Sequence, residues 1–226
     1  MIPHVVALIP ALNEAETIRE VVTGILEHVN SAVVVDDGSV DETSALAKAA
    51  GAVVLRHECT RGKGQAVRTG LHHILARPGA DYVLMLDGDM QHRPDEAPRL
   101  IAAAVETGAD LVVGVRRFER SSMPPSRYHA NVIGSRALSS FVGVPLEDTQ
   151  CGYRLFHLRL LKRMRLRATG YDIETEMLIR AGRLGGHITQ VPVTAVYGAG
   201  RSKLRPVRDT TRTCFRAVYY RYIERA

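Results

Sequence analysis

The chain has 226 residues, enough for one large domain with a proper buried core and too few for two comfortable ones. Its 46% hydrophobic and 24% charged content is globular and excludes a disordered chain, and no apolar run reaches the length that crosses a bilayer. A net charge of +6 suits anionic partners such as nucleic acid, an acidic membrane or phosphorylated substrates, without choosing among them.

The first apolar stretch, HVVALIPAL at residues 4–12, lacks a basic flank, and polar Asn13 and Glu14 stand where a cleavage site would be expected. It reads as a buried strand over residues 5–9. Further strands are predicted over residues 32–35, 52–55, 82–86 and 111–114, each a near-continuous apolar run of the kind covered on both faces. Helices are predicted between them over residues 14–28, 41–50, 64–76 and 95–107. This alternation predicts an α/β fold, a doubly wound and mostly parallel sheet flanked by helices. Ligands in such sheets bind beyond the carboxyl ends of the strands.

After Gly114 the rhythm changes. An irregular loop over residues 116–126 leads to a helix over about 128–141 and a turn at residues 143–145. A short strand near residues 153–156, a helix over 173–184 and a strand over 187–197 follow. Residues 198–206, GAGRSKLRP, read as a mobile cationic loop, and residues 207–224 as a last, amphipathic helix with Arg208, Arg212 and Arg216 at four-residue intervals. That helix packs on the domain or lies on an anionic bilayer. Cys59, Cys151 and Cys214 are odd in number and widely spaced, which suggests neither a disulfide framework nor a zinc site and fits a reducing cytoplasm.

Three strand ends carry candidate chemistry. In LMLDGDMQ, residues 84–91, an apolar strand runs into Asp87, Gly88 and Asp89, with Gln91 two residues on. An extended segment would point Asp87, Asp89 and Gln91 the same way, and oxygen donors suit a hard cation such as magnesium or manganese. Asp-Gly also marks ordinary surface turns. In VVVDDGS, residues 33–39, Asp36 and Asp37 end a strand, and Ser39 with Glu42 makes a capping box for the next helix. Ionised carboxylates of this kind accept from a base N–H or ribose hydroxyls. In IPALNE, residues 9–14, Pro10 ends the ladder, Asn13 caps the helix, and Glu14 suits its first turn.

Arg61-Gly62-Lys63-Gly64 lacks P-loop spacing and reads as a glycine-eased helix start. The nine histidines show no metal-ligand spacing, Cys151 has no evident catalytic partner, and both look structural.

Together the segments IPALNEAETI (9–18), VVDDGSVDET (34–43), RGKGQAVRTG (61–70), MLDGDMQHRPDE (85–96), DTQCGYRLF (148–156) and RSKL (201–204) resemble the family 2 glycosyltransferases of GT-A fold, most closely the dolichyl- or polyprenyl-phosphate sugar synthase branch. The resemblance implies one domain over residues 1–226, with a nucleotide-binding half (1–115), an acceptor-side half (116–206) and the terminal helix (207–226). It assigns Pro10, Leu12, Glu14, Asp36, Asp37, Asp87 and Gly88 to the nucleotide-sugar pocket; Leu12 stands where many members carry an aromatic. Asp87, Asp89 and Gln91 match ligands of Mg2+ or Mn2+ and the diphosphate. Arg116 matches an arginine near the donor phosphates, Arg201 and Lys203 a cationic pair closing over phosphate, and Arg127 matches only loosely. Asp148 stands where a relative acting on hydroxyls places a general base; a phosphate acceptor needs none, and Asp148 would then organise the site.

The implied activity is an inverting, metal-dependent transfer of a sugar from a nucleotide-diphosphate donor to an acceptor, lipid phosphate or a soluble hydroxyl. The implied location is cytoplasmic, peripheral to the membrane face. A sugar-phosphate nucleotidyltransferase would need a Gly-Thr-Arg loop where Pro10–Glu14 stands. A non-catalytic nucleotide-sugar sensor would bind donors without turnover. Nucleic acid is disfavoured by 5% aromatics and the lack of a binding motif. Oligomeric state is open.

Overall fold

The computed structural model describes residues 3–116, 138–140 and 142–194. Arg127, Arg201, Lys203, most of the helix expected over 128–141, and the terminal segment 198–224 lie outside the described residues.

Among the described residues seven strands form one sheet: β1 (Val5–Ala11), β2 (Ser31–Asp36), β3 (Val53–Arg56), β4 (Tyr82–Met85), β5 (Leu111–Arg116), β6 (Arg154–His157) and β7 (Ile188–Val193). Their order is β3-β2-β1-β4-β6-β5-β7. All neighbours pair in parallel except β6, which runs antiparallel to both β4 and β5.

The helices are α1 (Ile18–Leu26), α2 (Thr43–Ala49), α3 (Lys63–Leu75), α4 (Ala97–Thr107), α5 (Leu158–Leu161) and α6 (Ile173–Arg183), with a 3-10 turn at Pro94–Glu96. Side chains alternate across a strand, so β1 divides the core. Val6 and Leu8 pack with Ala66, Val67 and Leu71 of α3 and Met177 and Leu178 of α6. Val5, Ala7 and Ile9 pack with Ile18, Val21 and Val22 of α1 and Leu100 of α4. Every residue of β1 is buried, as a central parallel strand requires.

Several local expectations are corrected. β3 is an edge strand, with Val53 exposed rather than covered on both faces. Pro10 lies within the ladder, opposite Val35, and pairing continues to Ala11. The β1–β4 register stops at Leu8, and a strand with one remaining partner tolerates a missing N–H.

The first helix starts at Ile18, not Glu14, with Thr17 as its N-cap and no side-chain capping bond. Asn13 instead adopts φ 52°. Its side-chain oxygen accepts from Val40 N at 2.9 Å, and its own N–H donates to Ser39 Oγ at 2.9 Å. Glu14 N donates to Thr43 Oγ1 at 2.8 Å and Ala15 N to Asp41 Oδ2 at 3.2 Å. Ser39 is thereby used between loops, and no capping box forms: Glu42 is the N-cap of α2, without a side-chain bond. The polar residues that looked like two separate caps stitch the β1–α1 loop to the β2–α2 loop.

Candidate active site

β4 ends at Met85, and Asp87, Gly88 and Asp89 follow in a tight turn in which Met90 has φ 59°. The extended alternation expected over Asp87, Asp89 and Gln91 is therefore absent. Gln91 N donates to Asp89 Oδ1 at 3.1 Å, and Thr17 Oγ1 donates to the Gly88 carbonyl at 2.6 Å, pinning the turn to the head of α1. A Cβ on Gly88 would lie 3.3 Å from Ile18 Cδ1 and 3.5 Å from Glu14 Cγ, so the β1 and β4 strand ends are packed together here.

Lys63, the first residue of α3, is the centre of charge. Its Nζ lies 2.6 Å from Asp87 Oδ1 and 2.6 Å from Glu174 Oε1 in α6, with Lys63 and Glu174 largely buried and Asp87 partly exposed. The opposing effects on Lys63 are large: burial disfavours its charge, but Asp87 and Glu174 overcome this and hold it protonated well above the usual lysine range. Burial likewise pushes the Asp87 carboxyl up, and Lys63, His92 and Arg116 pull it below its ordinary value. Asp89 makes no ion pair among the described residues, and Lys63 pulls it down by less than burial and Asp87 push it up. Burial, then the charges of Asp87 and Glu14, push it up to about 6. The two carboxylates of one turn are thus shifted in opposite directions, because Asp87 is the one in contact with the lysine. Glu174 Oε2 is buried with no hydrogen-bond partner among the described residues.

Glycines make this closeness possible. Gly62, with φ 99°, and Gly64 abut the 168–169 backbone: added Cβ atoms would lie 2.3 Å from Thr169 O and 2.6 Å from Ala168 O. Gln65 N donates to Thr169 O at 3.3 Å. Glu176 holds that segment by accepting from Arg167 N and Ala168 N at 2.9 and 2.7 Å, and it pairs with Arg180. Gly152 lies directly against Asp87, where a Cβ would come 2.8 Å from Oδ2. Fully buried Arg154 donates to the carbonyls of Thr149, Cys151 and Glu174, tying the 149–152 segment to α6.

Arg116, the last residue of β5, and Asp148 form a bidentate pair, Nε to Oδ2 at 2.6 Å and Nη2 to Oδ1 at 3.0 Å. Asp148 also accepts from Gln150 N at 3.1 Å. His92 is buried beside these groups. Its Nε2 is 3.9 Å from Cys151 Sγ, its Nδ1 has no partner among the described residues, and burial drives the imidazole down to about 4, so it is neutral at physiological pH. Burial pushes the Cys151 thiol up to about 12, consistent with a structural cysteine.

Glu14, Lys63, Asp87, Gly88, Asp89, Arg116 and Asp148 therefore belong to one electrostatic neighbourhood. Leu12 is half-buried just past β1 at its edge. Asp36 and Asp37 do not turn into it. Asp36 accepts from Ser39 N at 2.8 Å and from the Ser44 hydroxyl, with Arg56 Nε at 3.8 Å. Asp37 bonds His57 Nδ1 at 2.6 Å, Arg61 N at 3.0 Å and Gly62 N at 2.7 Å, which fixes the entry to α3 and so the root of Lys63. Lys63 and Glu174 are the residues that sequence reasoning missed. The only signal for Lys63 was its place between two glycines.

Residues 6–169 match the model of glycosyl transferase family 2. The chain belongs to that family. This glycosyltransferase is 35% identical over 215 residues to undecaprenyl-phosphate mannosyltransferase of Micrococcus luteus, covering 89% of this chain and 87% of the relative. It is 30% identical over 213 residues to UDP-N-acetylglucosamine–dolichyl-phosphate N-acetylglucosaminyltransferase of Methanococcus voltae, covering 84% of each. Glucosyl-3-phosphoglycerate synthase of Mycobacterium tuberculosis, solved with Mn2+ and UDP-glucose, superimposes with a TM-score of 0.74 at 26% identity over 99% of this chain and 80% of that one. The fold is accordingly GT-A, and the enzyme is a glycosyltransferase of the polyprenyl-phosphate sugar synthase type by similarity. No helix among the described residues is long and apolar enough to cross a membrane.

Proposed function

We propose that this glycosyltransferase moves a hexose, with inversion, from a nucleoside-diphosphate donor to a polyprenyl or dolichyl phosphate, in a reaction dependent on magnesium or manganese. The observation that carries the reading is the unequal pair Asp87 and Asp89 beside Lys63. Burial first, and then the neighbouring charge of Asp87 in the same turn, raise Asp89 to about 6, and a divalent cation is what relieves such crowding. The residues fit one. Magnesium and manganese take oxygen ligands and are held by one or two carboxylates together with water and substrate phosphates. Among the described residues no three His, Cys, Asp or Glu side chains converge on a metal site; Asp87 and Asp89, with Gln91 adjoining, would hold the ion together with phosphates of the donor. When bound, the ion supplies charge neutralisation for the departing diphosphate.

The protein's own groups do the remaining work. Lys63, held between Asp87 and Glu174, provides a fixed ammonium at the turn. Glu14, Leu12 and Pro10 line the donor side, and Asp36 and Asp37 shape the nucleotide side by holding residues 39–44 and 57–62 in place. Asp148 spends both oxygens on Arg116. It is a positioning residue that aims the guanidinium at phosphate, and it takes no proton. That assignment favours an acceptor already ionised, as a phosphate is, over a neutral hydroxyl. The Micrococcus relative, named for undecaprenyl phosphate, supports the same class.

The likeness to glucosyl-3-phosphoglycerate synthase favours a second reading, a small soluble phosphorylated acceptor. The test is transfer from a panel of labelled nucleotide sugars, with manganese or with chelator, to short-chain polyprenyl phosphate or to phosphoglycerate. Metal-dependent transfer to the lipid phosphate alone is the expected result; transfer to phosphoglycerate alone rejects the lipid reading. Binding of donors without transfer to either acceptor rejects both.

A further inference from the structure

Between α5 and the loop under Lys63 runs the segment LKRMRLR, residues 161–167. Lys162, Arg163, Arg165 and Arg167 are exposed, while Met164 and Leu166 pack into the core on the α3 side. From Arg163 to Arg167 exposed cations alternate with the half-buried Met164 and Leu166, and Lys162 precedes them in the turn after α5. Both ends are pinned, Arg163 N to Leu160 O at 3.1 Å and Met164 N to Leu161 O at 3.0 Å at one, Arg167 N to Glu176 at the other. No acidic or aromatic residue occurs between positions 158 and 170.

Three other exposed arginines of the described surface have carboxylate partners, Arg93 with Asp95, Arg99 with Glu96 and Arg159 with Asp110, while Arg77 donates to the His73 carbonyl. Lys162, Arg163 and Arg165 take part in none of the ion pairs among the described residues. A rigid row of like charges without counter-charges is held at an electrostatic cost that an external anionic surface would remove.

The row is also placed to matter. α5 begins where Leu158 N meets Asp81 O, at the amino end of β4. The chain then climbs to Ala168 and Thr169, whose carbonyls abut Gly62 and Gly64 on either side of Lys63. The ridge therefore ends at the active site.

We propose that the ridge formed by Lys162, Arg163 and Arg165 docks the enzyme on the headgroups of an anionic bilayer, setting the Lys63 edge of the site beside the membrane surface. The relevance of docking to turnover rests on the lipid-phosphate acceptor proposed above; the docking itself does not. Several basic residues at a fixed surface bind anionic leaflets additively, and the attraction decays within a Debye length. A single strand of nucleic acid, the other polyanion, is recognised with stacking aromatics, and the ridge has none.

The experiment is co-sedimentation of the full chain with vesicles that contain no acceptor lipid, either phosphatidylcholine alone or phosphatidylcholine mixed with phosphatidylglycerol. The expected result is binding to the mixed vesicles only, falling steeply with salt, and a loss of about a hundredfold in the variant Lys162→Gln/Arg163→Gln/Arg165→Gln. Transfer to a short soluble acceptor should be unchanged in that variant, so failure of docking and failure of the acceptor assignment are read separately. If the triple variant does not fold, Arg165→Gln alone should lose several-fold in partition with the same melting temperature. Equal binding of wild type and folded variant overturns the proposal, as does equal binding to both vesicle types. Loss in the variant of RNA binding, where wild type ignores vesicles, also overturns it.

Discussion

Arg116 and Asp148 come from segments 32 residues apart and meet in a two-bond ion pair, 2.6 and 3.0 Å, with little exposure of either side chain. A carboxylate so engaged has both oxygens committed. Replacing it tests what it is for. Asp148→Asn keeps shape and loses charge, so the guanidinium is less well aimed. We expect kcat/KM to fall about tenfold to a hundredfold, with the shape of the pH–rate profile unchanged. Removal of a true general base would cost about 100-fold to 10,000-fold and erase the acidic limb. Steady-state kinetics across pH distinguishes the two.

Lys63→Met leaves Asp87 and Glu174 facing each other without their cation. Breaking a buried pair by removing one partner costs about 3 kcal/mol, somewhat less where one group is partly solvated, as Asp87 is. Lys63 holds Asp87 below its ordinary value of 3.8. Its contribution is therefore present above about pH 4 and disappears as pH falls through the depressed native value. Urea denaturation should show the full loss at pH 7.5 and a smaller one in acid.

Asp89 behaves in the opposite sense. Its native value of about 6 exceeds the ordinary 3.8, so the folded state binds the extra proton between these limits. Without metal, stability should fall as pH rises through that window, and Asp89→Asn should flatten the slope. Manganese must displace the proton, so its apparent affinity should drop about tenfold per pH unit below 6. Thermal melts over pH 4.5–8, about that range, with and without manganese, measure both effects.

Gly152→Ala introduces a methyl group 2.8 Å from Asp87 Oδ2. The strand–turn backbone around it is buried and tied by Arg154, so the carboxylate must give way. We expect a fold that survives with a loss of about 1–3 kcal/mol, and a larger fractional loss of metal-stimulated activity. Near-normal activity in this variant would show that the Asp87 position is not demanding.

Asp37→Ala frees three hydrogen bonds at once, to His57, Arg61 N and Gly62 N. The loop entering α3 should loosen, with about 2–3 kcal/mol of stability lost. Hydrogen exchange at Arg61 and Gly62 should rise before exchange in the α3 interior does.

Much of the fold is legible in the chain. Short β-branched runs and intervening amphipathic patterns place each described strand and long helix within a few residues, because burial on both faces of a parallel sheet leaves only apolar choices. Edge position is less legible: Ala52 to Leu55 reads like any buried strand, and only the absence of a neighbour beyond it makes Val53 exposed. Caps are misread for a related reason. Asn13 and Ser39 have the chemistry of N-caps, yet each finds its partner on the other's loop, 26 residues away. Four-residue α5 carries too little pattern to be seen.

Within the site, the two carboxylates Asp87 and Asp89 stand out by composition and place. Their difference does not. It arises because Lys63 of α3, held also by Glu174 of α6, makes its ion pair with Asp87 and, among the described residues, none with Asp89. Acidic residues at strand ends, and glycines beside a lysine, are written along the chain, since local backbone and chemistry need only neighbours. Which carboxylate is neutralised, which arginine a given aspartate holds, and which glycine makes room for it depend on contacts between distant segments. Electrostatic energies vary with separation and burial, and only the packed tertiary structure sets both.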